Sequence, residues 1–322
     1  MRNRVARRGI SSHGNGMSSR SAAIIGAGIA GISAAQSLRR AGWNVVVFEK
    51  SRGWGGRCAT KRIVEGVVDH GAQYFTLRDA EFSAAVESAC SGELREINAP
   101  IVDCEGNQMD SGSLFHHLGG NSRLVRALGE GLDVRTGMEI SAIRGRRIAE
   151  HSFDVVVSTA PWPQTCKIAD VSCGINPYAP CLAAVFACDG EWPGSTSSRY
   201  AVSDAGDRDL VWSACENHKA GRIVPGVTVL VAHAAERFSR AFLEEDASVW
   251  SSILQNRVEE LWEIPQGTLR LLFSHRWRFA RVLEKPALVD LPEGWIFAGD
   301  LLAESRIESA WLAGRRAVSG LL

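Results

Sequence analysis

The run Gly26-Ala27-Gly28-Ile29-Ala30-Gly31, with Glu49 placed 23 positions after Gly26, carries the clearest chemistry in this 322-residue chain. Gly26 permits a tight turn, Gly28 lets backbone approach a pyrophosphate, and Gly31 lets a helix pack closely on a strand. The helix that this run opens presents its N-terminal N–H groups to phosphate charge. Glu49 can accept hydrogen bonds from both hydroxyls of an adenosine ribose, and its charge repels a 2′-phosphate. With Lys50 beside it, this set is the expected dinucleotide anchor. The competing reading is a glycine-rich turn with a solvated glutamate at a strand end, and the flanking elements decide against it.

Ala22 to Ile25 is a short apolar run, and Ile29 to Arg40 has apolar residues at helical spacing, basic residues in the last turn and Gly42 just beyond. Residues 44–48 form a β-branched and aromatic run closed by Glu49, the pattern of a parallel strand buried on both faces. Residues 22–49 therefore read as strand, helix and strand in order. Two further runs, 153–158 (FDVVVS) and 294–298 (GWIFA), predict strands of the same sheet, and a helix over 124–132 leads into a short strand at 133–136. Between them the pattern changes. Segments 181–188, 210–215, 227–233 and 269–277 predict strands of a mixed or antiparallel sheet, with an amphipathic helix at 247–262. The expected fold is α/β, a Rossmann-like dinucleotide-binding domain of residues 21–80, 115–162 and 285–322. An α+β substrate domain built on a mixed sheet, residues 81–114 and 163–284, is inserted into it.

Composition narrows the classes. The chain has 36 basic and 36 acidic side chains and is 45% apolar, which excludes a disordered or fibrous protein and gives no polyanion-seeking charge. The basic tracts 1–20 and 144–147 read as solvated, so no nucleic-acid partner is expected. Residues 1–20 hold five arginines and no acid. They are expected to be a disordered tail, with Met1 or Met17 as the start. No run reaches the roughly 20 apolar residues of a membrane span. Eight cysteines without CxxC or zinc-finger spacing read as reduced thiols of a cytoplasmic protein. His116-His117 and Asp69-His70 lack a third ligand at converging spacing, so no metal is expected.

Four residues beyond Glu49 begins Gly53-Trp54-Gly55-Gly56-Arg57, whose glycines let backbone amides approach phosphates while Arg57 complements their charge. Near the C-terminus stands Trp295-Ile296-Phe297-Ala298-Gly299-Asp300, followed by Ser309, Ala310 and an apparent final helix through Val318. This pairing resembles the FAD-binding flavoproteins of the amine-oxidase superfamily, with their glutathione-reductase-like cofactor domain. Residues 69–76 (DHGAQYFT) and 275–280 (HRWRFA) narrow the similarity to the renalase-like family, especially its bacterial members, and it runs in order from about residue 22 to 320. Ser309 departs from the glycine common there, and the span 136–153 is short for the superfamily.

The resemblance implies a non-covalent FAD enzyme that oxidises the 2- and 6-dihydro isomers of NAD(P)H to NAD(P)+ and passes electrons to O2. It implies cofactor contacts at Gly26, Gly28, Gly31, Glu49, Lys50, Gly55, Gly56, Arg57, Gln73, Gly299, Asp300, Ser309 and Ala310. A dihydropyridine regains aromaticity on losing hydride, so such a site needs flat walls and polar anchors rather than a general base. Tyr74, His275 and Trp277 are the candidate substrate-side residues. Strand alternation puts His275 and Trp277 on one face and Arg276 and Arg278 on the other. Core packing competes as a reading for His275 and Trp277, and satisfaction of buried backbone for Gln73. The open alternatives are an FAD-dependent amine oxidase or desaturase acting on an apolar amine or lipid, and a non-catalytic flavin-binding protein.

Overall fold

The computed structural model describes residues 20–190, 192, 198–203, 209–285 and 287–322. The expected tail, except Arg20, lies outside the described residues. The glycine run folds as its spacing requires: strand Ser21–Ile25, helix Ile29–Arg40 and strand Asn44–Glu49. These two strands sit centrally in a five-stranded parallel sheet, ordered Trp295–Phe297, Val155–Ser158, Ser21–Ile25, Asn44–Glu49 and Asp133–Thr136. The sheet is therefore Rossmann-like and parallel throughout. One face packs on the helices Ile29–Arg40 and Ile307–Val318, burying Ile24, Ile32, Leu38, Val47 and Trp311 in one core. Those helices touch closely at Gly314, where a Cβ would lie 2.1 Å from the Ala30 carbonyl oxygen.

The second layer is a six-stranded mixed sheet, ordered Arg270–Val282, Tyr178–Asp189, Val227–Ala234, Leu210–Cys215, Ala201–Ser203 and Ile101–Val102. All its pairs are antiparallel except the last, which is parallel. Alternation along Tyr178–Asp189 sorts two cores. Leu182, Ala184 and Phe186 face helix Ala247–Leu261 with its Trp250, Leu254 and Val258, while Val185 and Ala187 face Val68 of strand Gly66–Asp69.

One assignment needs adjustment. Segment 81–114 does not travel as one piece with the second sheet. Helix Ala80–Ala89 puts Phe82 and Val86 into the first core, because its apolar residues at i and i+4 match the face left by Trp311, whereas Ile101–Val102 joins the second sheet. The short span 136–153 closes as a minimal hairpin, Arg147–Ile148 against His151–Ser152.

Candidate functional site

A cavity of about 1480 Å³ runs along the seam between the two sheets. That exceeds the roughly 300–1,000 Å³ of an ordinary single-ligand pocket, which leaves room for an extended dinucleotide and a second ring. At one end lie the glycine loops. Gly26 has φ +103°, and a Cβ on Gly31 would sit 2.0 Å from the Gly26 carbonyl oxygen, so Gly31 is a packing glycine that does not reach the cavity. Gly28 is different: a Cβ there would meet nothing within 4 Å, and its backbone faces the cavity. The second glycine run closes on the first, with Gly55 N donating to the Ala27 carbonyl at 2.9 Å. Two loops some 27 residues apart thus form one cradle that side chains would fill, and it fits a pyrophosphate.

Glu49, 7% exposed, accepts from Ala27 N through Oε2 at 2.8 Å and from Ser51 N through Oε1 at 2.7 Å. Its first task is to hold the glycine loop, and each carboxylate oxygen keeps accepting capacity toward the cavity it lines. Lys50 also lines the cavity. Arg57 pairs with Asp300, whose other oxygen accepts from the Tyr178 hydroxyl at 3.3 Å. This ion pair fastens the Gly53–Arg57 loop to the turn after strand Trp295–Phe297. Gly299, Asp300 and Ala310 belong to the cavity wall; Ser309 does not, because Ile307, Glu308 and Ala310 present the inner side of the last helix's first turn. Ser309 is therefore corrected to a position behind the wall.

The part of the cavity next to Arg57 is built around residues 70–75, with Ala72 N donating to the Arg57 carbonyl at 2.8 Å and His70 N to the Ala59 carbonyl at 3.2 Å. His70, 8% exposed, stacks on Trp277 with ring centroids 5.4 Å apart and planes at 20°, and His275 lies 4.9 Å from His70 and 4.2 Å from Trp277. Phe273 meets His70 edge-on, so residues 273, 275 and 277 share the face that alternation predicts. The His70 carbonyl accepts from Trp277 Nε1 at 3.0 Å and pairs with His233 Nε2 at 3.2 Å. Burial holds these imidazoles neutral: it pushes His70 down to about 3 and His233 to about 4, and it lowers His275 as well. Trp277 and His275 thus both pack and line the cavity. Tyr74 lines it beside Trp212 of the second sheet, ring centroids 5.9 Å apart. On the other face of the strand, Arg276 donates to the Glu245 carbonyl and Arg278 pairs with Glu244. Gln73 donates from Nε2 to the carbonyls of Asp69 and Gly71, so its amide nitrogen serves backbone, while Oε1 is buried without a partner among the described residues.

Comparisons with known proteins bear on this geometry. Residues 24–87 match the NAD(P)-binding Rossmann-like domain family. Among solved structures, the chain is similar to a protein from Exiguobacterium sp. 255-15 provisionally assigned as a protoporphyrinogen oxidase, at 14% identity and TM-score 0.71, covering 95% of this chain and 99% of that one. Putrescine oxidase with putrescine bound aligns at 13% identity and TM-score 0.67, over 94% of this chain and 99% of that chain. Reduced UDP-galactopyranose mutase aligns at 12% identity and TM-score 0.63, over 82% and 84%. The shared property is the fold.

Sequence reasoning missed what supports the 70–75 segment. Asp69, Glu216 and Lys219 are fully buried and Arg222 is 2% exposed. Asp69 Oδ2 accepts from Arg222 Nη2 at 2.6 Å and from Lys219 Nζ at 3.3 Å, and Oδ1 accepts from Thr60 Oγ1 at 2.6 Å and Asn121 N at 2.9 Å. Lys219 also meets Glu216 at 2.5 Å. Burial pushes Asp69 up, but Arg222 and Lys219 overcome it and hold the carboxyl at about 2. Glu216 is pushed up, burial outweighing Lys219. Glu308 was missed too: it accepts from Arg78 N at 2.8 Å and from Asp79 N at 2.5 Å, tying the last helix to the end of the same segment. Among the described residues, no group of three or more His, Cys, Asp and Glu side chains is placed to hold a metal, and no helix is long and apolar enough to cross a membrane.

Proposed function

We propose that this chain is an FAD-dependent oxidoreductase of renalase-like type that takes hydride from 2- and 6-dihydronicotinamide isomers of NAD(P)H. The observation that carries this reading is the uncharged aromatic wall of buried His70 stacked on half-buried Trp277, with half-buried His233 and His275 beside them, in the same cavity as a double glycine cradle. Gly28, Gly55 and Gly56 would take the pyrophosphate with their backbone, Glu49 the adenosine ribose, and Arg57 with Asp300 the middle of a non-covalent FAD. When bound, the flavin supplies a two-electron acceptor and returns the electrons to O2 as peroxide. The protein's own part is positional. Trp277 and His70 would stack against a planar ring, with Tyr74 and Trp212 as further aromatic lining of the same cavity, and a ring held flat loses a C–H hydride to become an aromatic pyridinium without any proton leaving it.

The same wall argues against an ammonium substrate. Of the six carboxylates lining the cavity, Glu49, Asp300 and Glu308 are each engaged by backbone or by Arg57, Glu236 is paired with Arg240, Asp110 accepts from Gly112 N, and the exposed Glu139 follows Met138, whose N–H is held by the Glu49 carbonyl at the cradle rather than at the aromatic wall. The test is anaerobic mixing of the purified, yellow protein with 2-dihydro-NAD, 6-dihydro-NAD and a panel of amines. Bleaching by a dihydro isomer supports the reading. Bleaching by amines alone replaces it with an amine oxidase, and bleaching by none leaves a flavin-binding protein.

A further inference from the structure

Although the chain as a whole has no net charge, eleven lysines and arginines line the cavity against six acids. Several of these cations are already engaged: Arg57 with Asp300, Arg278 with Glu244, Arg276 with the Glu245 carbonyl. Two others, Arg78 and Arg306, come together on the cavity wall at the first turn of the last helix, where Glu308, two residues after Arg306, accepts from Arg78 N at 2.8 Å. Both Arg78 and Arg306 act on the Tyr74 hydroxyl electrostatically, opposing the rise that burial causes in its pKa. The Arg78 guanidinium makes no hydrogen bond or ion pair with any described residue, yet its backbone is fixed, because Arg78 N donates to the buried Glu308 carboxylate. Arg306 caps the final helix and pairs with Glu304 at 3.2 Å, both side chains more than half exposed. A pair so exposed contributes little and gives way readily to a better anion.

We propose that Arg78 and Arg306, beside Tyr74 on the cavity wall, form the subsite that grips the phosphate of the substrate. This rests on the dihydronicotinamide reading and makes it finer: the reacting ring lies on the neutral imidazole and indole wall, and the nucleotide phosphate lies at the two arginines. Division of labour follows from the electrostatics. Two guanidiniums, one anchored through its backbone to Glu308 and the other on a helix N-terminus, are pre-set for an anion. The histidine wall carries no charge that would compete for it. The ring supplies reactivity and the phosphate supplies selection.

The experiment is calorimetric titration of the FAD-loaded protein with nicotinamide mononucleotide and with nicotinamide riboside, which differ only in the phosphate. The expected result is mononucleotide binding at least 10-fold tighter than riboside binding. Arg78→Gln together with Arg306→Gln should erase that difference and leave riboside affinity within two-fold. Both side chains are exposed, so the double variant keeps its fold, as far-ultraviolet circular dichroism checks. Equal affinity of the two ligands for the unaltered protein, or a phosphate preference that survives in the double variant, overturns the subsite. If neither ligand binds, the dihydronicotinamide reading fails, and inorganic pyrophosphate then decides the subsite alone: binding that the double variant loses sustains it, and any other result overturns it.

Discussion

Replacing Asp69 by Asn tests the claim that a buried charge cluster, not the cavity surface, holds the 70–75 segment in place. In the native chain two cations, Lys219 and Arg222, face two carboxyls, Asp69 and Glu216, all inaccessible to solvent or nearly so. The asparagine keeps an oxygen for Thr60 and for Asn121 N but removes the charge that Arg222 approaches to 2.6 Å. Breaking a buried ion pair from one side costs about 3–5 kcal/mol, because the partner remains buried and uncompensated. Glu216→Gln is the internal control. Burial already drives Glu216 toward its protonated form, so losing its charge should cost less, about 1–3 kcal/mol, the range of a disturbed hydrogen bond. With a urea slope of about 3 kcal/mol per molar, Asp69→Asn lowers the midpoint by about 1 to 1.7 M. The assay is urea unfolding followed by tryptophan fluorescence and circular dichroism at one fixed FAD concentration, since a ligand of the native state shifts the midpoint. A shift under about 0.3 M for Asp69→Asn, or a larger shift for Glu216→Gln than for Asp69→Asn, refutes the reasoning.

Acid should loosen the fold well above the carboxylate range. His70 and His116, held at about 3, and His233, at about 4, stay neutral in the fold, whereas an unfolded imidazole takes a proton near pH 6.5. Their stabilisation is complete above about pH 6.5 and is lost as the pH falls toward 4 and 3, at about 1.4 kcal/mol per unit per group, so up to about 6 kcal/mol has gone by pH 5. Asp69 adds its own loss only below about pH 4. Urea midpoints at pH 7.5 and pH 5 measure this, and equal midpoints would show the imidazoles to be charged or solvated in the fold. The glycines separate by role. Gly28→Ala should fold normally yet lose FAD affinity at least 10-fold, while Gly31→Ala, with its Cβ 2.0 Å from the Gly26 carbonyl oxygen, should lose the fold's stability first. Circular dichroism and flavin content after purification distinguish them, and a Gly28→Ala protein that retains full flavin would place the pyrophosphate elsewhere.

What could be read in the amino-acid sequence follows a physical line. Helix Ile29–Arg40 and strands Ser21–Ile25 and Asn44–Glu49 match their sequence reading because periodicity and glycine sterics are local. Strand Tyr178–Asp189 begins three residues before its predicted start. Pro180 interrupts the apolar run, and the fold accommodates it at a break in register between Ala179 and Cys181, where a missing N–H is tolerated. Helix Ala80–Ala89 was not predicted, and although Phe82 and Val86 lie one turn apart, nothing local says which of two cores they meet. The charge cluster was illegible for a stronger reason. Glu216, Lys219 and Arg222 sit in a polar, turn-prone stretch, ENHKAGR, which by itself reads as a solvated loop. What buries it is Asp69, about 150 positions earlier, at the end of strand Gly66–Asp69. A charge can leave water only when its counter-charge arrives from elsewhere in the chain. The same reasoning explains why Asp69 stands directly before His70. Asp69 joins the segment before the wall to Arg222 and Lys219 through charge-assisted hydrogen bonds, which are stronger than neutral ones, and with both oxygens paired its charge is compensated. The wall's neutrality and the cluster's charge are therefore two parts of one arrangement, and disturbing the second should show itself in the first.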